Sequence, residues 1–138
     1  MLALYFFILG LVMGSFLNVV VDRVSKGQSI LYPPSHCPHC RHRLAWYDLI
    51  PLISYIQLGG KCRYCKEKIS LFYPLLELVT GIAFVIAYYA ALSTGILYIV
   101  YLLLMTSVFI VVFFTDYKYG LIPFYVVIFG VLISLAYY

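Results

Sequence analysis

The sequence predicts an all-α integral membrane protein of about four transmembrane helices with one small hydrophilic loop domain. Three observations lead there. Hydrophobic residues make up 65% of the 138-residue chain and charged residues only 10%, against about 25% charged in a soluble domain. The apolar stretches are long and unbroken rather than alternating, which selects helices over a lipid-embedded barrel. Finally, of the nine Lys and Arg residues, all but Lys118 fall in one segment beside the first apolar run.

Taken in order, the first element is the apolar run Met1–Val21. It has no positive n-region and no small-residue cleavage site, and Arg23 follows it rather than precedes it. This is the pattern of an uncleaved anchor with its C-terminal end inside. Gly10 and Gly14, four apart, allow close helix contact. Residues 22–70 form a hydrophilic loop. Its one apolar stretch, Leu49–Leu58, is too short to cross a bilayer and reads as interfacial or re-entrant. Residues 71–138 then supply three further runs, Leu71–Leu92, Ile96–Thr115 and Leu121–Tyr138, against a requirement of roughly 17 to 25 residues.

The basic residues set the orientation. Arg23, Lys26, Arg41, Arg43, Lys61, Arg63, Lys66 and Lys68 lie in the long loop, opposed only by Asp22, Asp48 and Glu67, and Lys118 lies in the turn between the third and fourth spans. With the N-terminus outside, both segments are cytoplasmic and the uncharged turn Ser93–Gly95 faces out. The net charge of +4 therefore marks a face toward anionic membrane lipid, not a nucleic-acid partner.

The loop carries all four cysteines, as Cys37-Pro-His-Cys40 and Cys62-Arg-Tyr-Cys65. Two residues between cysteines let both thiolates of a tight knuckle point at one ion. Two such knuckles complete the sulfur tetrahedron that zinc favours, with no position left for a catalytic water. The expectation is a small cytoplasmic zinc-knuckle domain with structural zinc. Two disulfides are the competing reading, disfavoured on a reducing side. A redox role lacks the thioredoxin-like setting it needs. His36, His39 and His42 crowd the first knuckle, either as substitute ligands or as exposed polar residues. The loop has too few apolar side chains for a core of its own, so metal binding would supply folding energy.

Ionisable and polar residues inside spans are costly and are functional candidates by default. Asn18, Glu77 and Asp116 lie near the cytoplasmic ends of three different runs, where packing could gather them around a wet pocket. Each has a plainer reading. Asn18 can serve as a helix–helix hydrogen bond, Glu77 can pair with a loop Lys or Arg, and Asp116 can open a turn, since Asp116-Tyr-Lys-Tyr-Gly120 has turn composition.

These residues, in order, resemble a known family. The matching elements are Gly14-Ser-Phe-Leu-Asn18, Arg23, Pro34-Ser35-His36-Cys37-Pro-His-Cys40, Asp48-Leu-Ile-Pro51, Ser54, Gly60-Lys-Cys62-Arg-Tyr-Cys65, Ile69-Ser70, Tyr73-Pro74 with Glu77, and Asp116-Tyr-Lys-Tyr-Gly-Leu-Ile-Pro123. The chain is similar to the bacterial type IV prepilin peptidases, membrane aspartyl proteases that process pilin-like and pseudopilin precursors, including those used in competence. The resemblance implies residence in the bacterial inner membrane and cleavage of a short basic leader at its cytoplasmic face. It implies a catalytic role for Asp116, with Glu77, Asn18 and Lys118 supporting the site. Many members also methylate the new N-terminus with S-adenosylmethionine, an activity associated with the region that matches Gly60 and Lys61.

The mechanism of that family needs two aspartates, because close carboxylates can share a proton, one activating water while the other polarises the carbonyl. Asp116 matches the first. The second belongs to a Gly-x-Gly-Asp element absent from this sequence, and Phe124 stands where the family usually has Asp or Asn. The chain looks like the N-terminal half of such an enzyme, to be completed by a C-terminal half or a partner chain, and is expected to be inactive alone. The alternatives are a non-proteolytic zinc-bearing membrane module for binding or assembly, and a membrane anchor without chemistry.

Overall fold

The computed structural model describes residues 1–138. Five α-helices form: α1 (Leu2–Val24), α2 (Ile53–Gln57), α3 (Phe72–Ala90), α4 (Ile96–Tyr119) and α5 (Phe124–Tyr137), with a single 3-10 turn at Trp46–Leu49. There is no strand, only two isolated bridges in the loop. Helices α1, α3 and α4 are long and apolar enough to cross a membrane. The chain is a multi-pass membrane protein.

The fourth apolar run forms the shorter apolar helix α5, which begins at Phe124 and has 14 residues within this sequence. Leu121 and Ile122 are spent on the connection. Gly120 adopts the left-handed conformation (φ 63°) and donates its N–H to the Asp116 carbonyl at 2.7 Å, and Pro123 precedes the first residue of α5. A left-handed glycine stops one helix and a proline tolerates the start of the next. The turn reading of Asp116–Gly120 is corrected at the same place. α4 continues through Asp116 to Tyr119, and only Gly120 ends it.

Lipid offers no hydrophobic drive between helices, so close packing has to come from small residues. α1 and α3 meet antiparallel through such contacts. A Cβ on Gly10 would lie 2.7 Å from the Gly81 Cα, and one on Gly14 would lie 2.7 Å from the Glu77 Cα. This fixes the register: Gly10 stands level with Gly81 and Gly14 with Glu77. α4 joins the pair, burying Ile110, Val111 and Phe114 against Leu17, Val21 and Leu76. The core therefore sits at the loop end of the bundle. Outward side chains such as Leu4, Ile8, Val12, Ile82, Ile86, Phe109 and Phe113 remain exposed, as lipid-facing surfaces do.

Candidate functional site

The loop folds as two copies of one knuckle, residues 35–44 and 60–69. In each, the first cysteine accepts from the residue four on and donates to the residue five on. Arg41 N–H bonds the Cys37 carbonyl at 2.9 Å and Cys37 N–H the His42 carbonyl at 3.0 Å. Lys66 N–H bonds the Cys62 carbonyl at 3.0 Å and Cys62 N–H the Glu67 carbonyl at 2.8 Å. The residue after the second cysteine is left-handed in both, Arg41 at φ 56° and Lys66 at φ 62°. Both are closed by an antiparallel bridge, His36 to Arg43 and Lys61 to Lys68. The repeat was legible in the sequence, as Ser35-His-Cys-Pro-His-Cys-Arg-His-Arg-Leu44 set over Gly60-Lys-Cys-Arg-Tyr-Cys-Lys-Glu-Lys-Ile69, yet spacing alone did not reveal it.

The two knuckles bring Cys37, Cys40, Cys62 and Cys65 together with all four sulfurs within 4.8 Å of one another. Cys37 Sγ and Cys65 Sγ are 3.8 Å apart. Zn–S bonds of about 2.3 Å in a tetrahedron require S···S edges of about 3.8 Å. The donor set and its spacing thus fit zinc, with the cysteines as free thiols rather than disulfides. Backbone N–H groups of Cys65 and Tyr64 draw the Cys62 thiol down to about 7, while at Cys65 the Glu67 N–H is outweighed by burial and the neighbouring thiols, which push that thiol up to about 11. The histidines stand aside from this cluster. His36 Nδ1 donates to the Pro34 carbonyl at 3.1 Å, and the His42 ring lies 3.7 Å from that of Tyr64, linking one knuckle to the other.

Asp48 fastens the second knuckle to the 3-10 turn. It accepts from Arg63 Nε at 2.7 Å, from the Tyr64 hydroxyl at 3.0 Å and from the Ala45 N–H at 3.2 Å. Burial opposes its ionisation, but the Arg63 hydrogen bond and these other donors prevail and hold the carboxyl below its ordinary range.

Between the knuckles and the ends of α1 and α3 lies a cavity of about 470 Å³, open to one side. Its deep end is formed by Ser15, Asn18, Asp22, Tyr73 and Glu77, and its rim includes Lys26 and Lys68. Asn18 and Glu77 are therefore brought together, as the sequence suggested, but Asp116 is not among the lining residues. Asn18 Nδ2 donates to the Tyr73 carbonyl at 3.1 Å and its Oδ1 is buried without a partner. Glu77 pairs with no loop cation. It accepts the Leu52 N–H at 2.9 Å. Gly60 turns left-handed (φ 69°) against the Tyr55 hydroxyl, and Lys61 faces Lys68 across the second knuckle's bridge.

Asp116 lies exposed on the last turns of α4. Lys118, two residues on, reaches back to Asp22 at 2.6 Å, and its ammonium also stands 4.4 Å from the centre of the Phe72 ring. Asp22 additionally accepts from the hydroxyls of Tyr73 and Tyr119, both at 2.9 Å. This carboxylate ties three helix ends together and was not singled out from sequence. Its signal was an acid placed directly after an apolar span.

The comparisons with known proteins agree with this architecture. Residues 8–91 match the family model described as Bacterial Peptidase A24 N-terminal domain. A Prepilin leader peptidase/N-methyltransferase of Myxococcus xanthus is 43% identical over 97% of this chain and 39% of its own length. The Bacillus subtilis protein of the same name is 39% identical over 89% of this chain and 49% of its own. In Escherichia coli, a Type 4 prepilin-like proteins leader peptide-processing enzyme is 43% identical over 56% of this chain. The chain spans less than half the length of each of these relatives. No solved structure matches.

Proposed function

The chain belongs to the bacterial peptidase A24 N-terminal domain family, and from that premise we propose that it supplies the scaffold, the zinc loop and one catalytic carboxylate of a prepilin leader peptidase. The observation that carries this reading is the Asp22–Lys118 pair. It ties the C-terminal end of α4 to that of α1, on the side of the bundle where the four-cysteine loop begins. Asp116 then stands on the same side as the loop and its cavity, at the level of a membrane surface. A substrate anchored by an apolar helix would present its leader junction at that level. By the positive-inside pattern this surface is the cytoplasmic one of the bacterial inner membrane.

In this reading Asp116 activates water or polarises the scissile carbonyl, with a second carboxylate sharing its proton. Asp22, Asp48 and Glu77 are each engaged elsewhere, by Lys118, Arg63 and Leu52. Glu67 lies exposed in the second knuckle. In this reading the second carboxylate comes from another span or chain, and the 138 residues alone are expected not to hydrolyse peptides. The loop cavity, rimmed by Lys26 and Lys68 and floored by Asn18 and Glu77, receives the precursor's polar segment. Cys37, Cys40, Cys62 and Cys65 hold a structural zinc that keeps the two knuckles paired. S-adenosylmethionine, when bound, would supply an electrophilic methyl group for the new N-terminal amine. Gly60 and Lys61, which open the second knuckle, would position it.

The test is cleavage of a purified prepilin in vesicles. The 138-residue chain is expected to be inert, the same chain joined to a Gly-x-Gly-Asp span active, and the joined chain inactive again with Asp116→Asn. Cleavage by the joined Asp116→Asn chain would overturn the assignment. Saturable prepilin binding by the short chain, with no cleavage after joining, would favour the alternative of a binding and assembly module.

A further inference from the structure

We infer that residues 49–58 form a re-entrant element that dips beside α1 and α3 into the membrane and presents Ile53 and Ile56 to lipid. The inference stands on geometry and does not depend on the peptidase reading.

Two side chains from different spans hold this segment from below. Glu77 accepts the Leu52 N–H at 2.9 Å, and the Ser15 hydroxyl donates to the Leu49 carbonyl at 3.5 Å. The glycine contacts set Gly14 level with Glu77, so both tethers act at one depth. Ser15 lies seven residues before Asp22, about 10 Å down the helix from the charged end of α1. Glu77 lies five residues past the start of α3, about 7.5 Å down. The segment between Leu49 and Leu52 is therefore drawn well below the polar ends of both spans.

Non-helical backbone at such depth is tolerated only where protein groups satisfy it. That is what the tethers do. Ser54 adds to it, its hydroxyl donating to the Ile50 carbonyl at 2.8 Å. The element is also two-sided. Ser54, Tyr55 and Leu58 line the cavity, whereas Ile53 and Ile56, three apart on the other face of α2, are 52% and 74% exposed. Trp46, at the entrance, is 77% exposed, the placement an interfacial aromatic takes. The outward face is set at the level where α1 and α3 themselves expose Phe16, Leu75 and Leu78. Its occupant is therefore the bilayer, and the element walls the cavity off from lipid.

The chain has a single tryptophan, which makes depth measurable by fluorescence. In phosphatidylethanolamine–phosphatidylglycerol vesicles, Trp46 and an Ile56→Trp reporter in a Trp46→Phe background are compared. Quenchers are nitroxide lipids labelled near the headgroup or near the chain end, and aqueous iodide. The expected result is several-fold stronger quenching of the Ile56→Trp reporter by nitroxide lipid than by iodide, with Trp46 quenched best by the shallow nitroxide. Glu77→Leu, which removes the acceptor, should shift the reporter toward iodide, while Glu77→Gln, which retains one, should not. A reporter quenched by iodide as fully as free tryptophan, or a depth unchanged in a folded Glu77→Leu protein, would overturn the inference. Zinc content, measured on each variant, reports that the loop remains folded.

Discussion

Asp22 and Lys118, 96 residues apart in sequence, meet at 2.6 Å where the ends of α1 and α4 converge. The Asp22 carboxylate is shared by Lys118, Tyr73 and Tyr119, so one acid closes α1, α3 and α4 at the loop end. The pair is half-sheltered, with side-chain exposures of 27% for Lys118 and 23% for Asp22. It is therefore neither a surface ion pair of negligible worth nor a fully desolvated one.

Asp22→Asn is expected to lower stability by about 1–2 kcal/mol, between the values for exposed and buried pairs. Lys118→Met should cost a similar amount, and the double variant should cost less than the sum. Thermal unfolding of the four proteins in one detergent gives the coupling. Strict additivity would show that the contact contributes nothing.

Zinc should be present at about one per chain, as four thiolate ligands require. Cys37→Ser or Cys62→Ser should lower that content, and chelation should loosen both knuckles together because each contributes two sulfurs. Elemental analysis with limited proteolysis of the loop reads both effects. Metal-free protein with a protease-resistant loop would contradict the structural role.

Gly14→Val and Gly10→Val are expected to force α1 and α3 apart, since the added Cβ would meet backbone at 2.7 Å. Overpacking of this kind costs about 1–3 kcal/mol, and backbone neighbours cannot rotate away. Gly95→Ala, where an added Cβ meets nothing within 4 Å, serves as the control. Equal unfolding midpoints for Gly14→Val and Gly95→Ala would refute the close crossing.

The Asp48 carboxyl is held below its ordinary range against the cost of burial by Arg63 and its other donors. Its folded value lies below its unfolded one. Its contribution is thus complete above the unfolded value, about 4, and is lost as pH falls through the folded value. The stability difference between wild type and Asp48→Asn should be flat from neutral pH down to about 4 and shrink below it. A difference that grows on acidification would reverse the assignment.

Much of this protein was legible in its residues taken locally. Unbroken apolar runs announced α1, α3 and α4, because lipid demands such runs of any spanning helix. The paired C-x-x-C elements announced the sulfur cluster, because a knuckle is built within ten residues. The short helix α2 was recognisable as non-spanning from its length. Asn18 and Glu77 stood out as polar groups in apolar surroundings.

Which groups those residues would meet was decided only in three dimensions. Glu77 holds a backbone N–H of the loop rather than a cation, and Lys118 of α4 reaches across to Asp22 of α1. The start of α5 likewise depended on where Gly120 and Pro123 divided one apolar stretch. The physical reason is that composition and spacing act along the chain, whereas partner choice depends on the register of α1 against α3. That register is set by Gly10, Gly14 and Gly81 packing backbone to backbone, and it determines which side chains share a depth in the membrane.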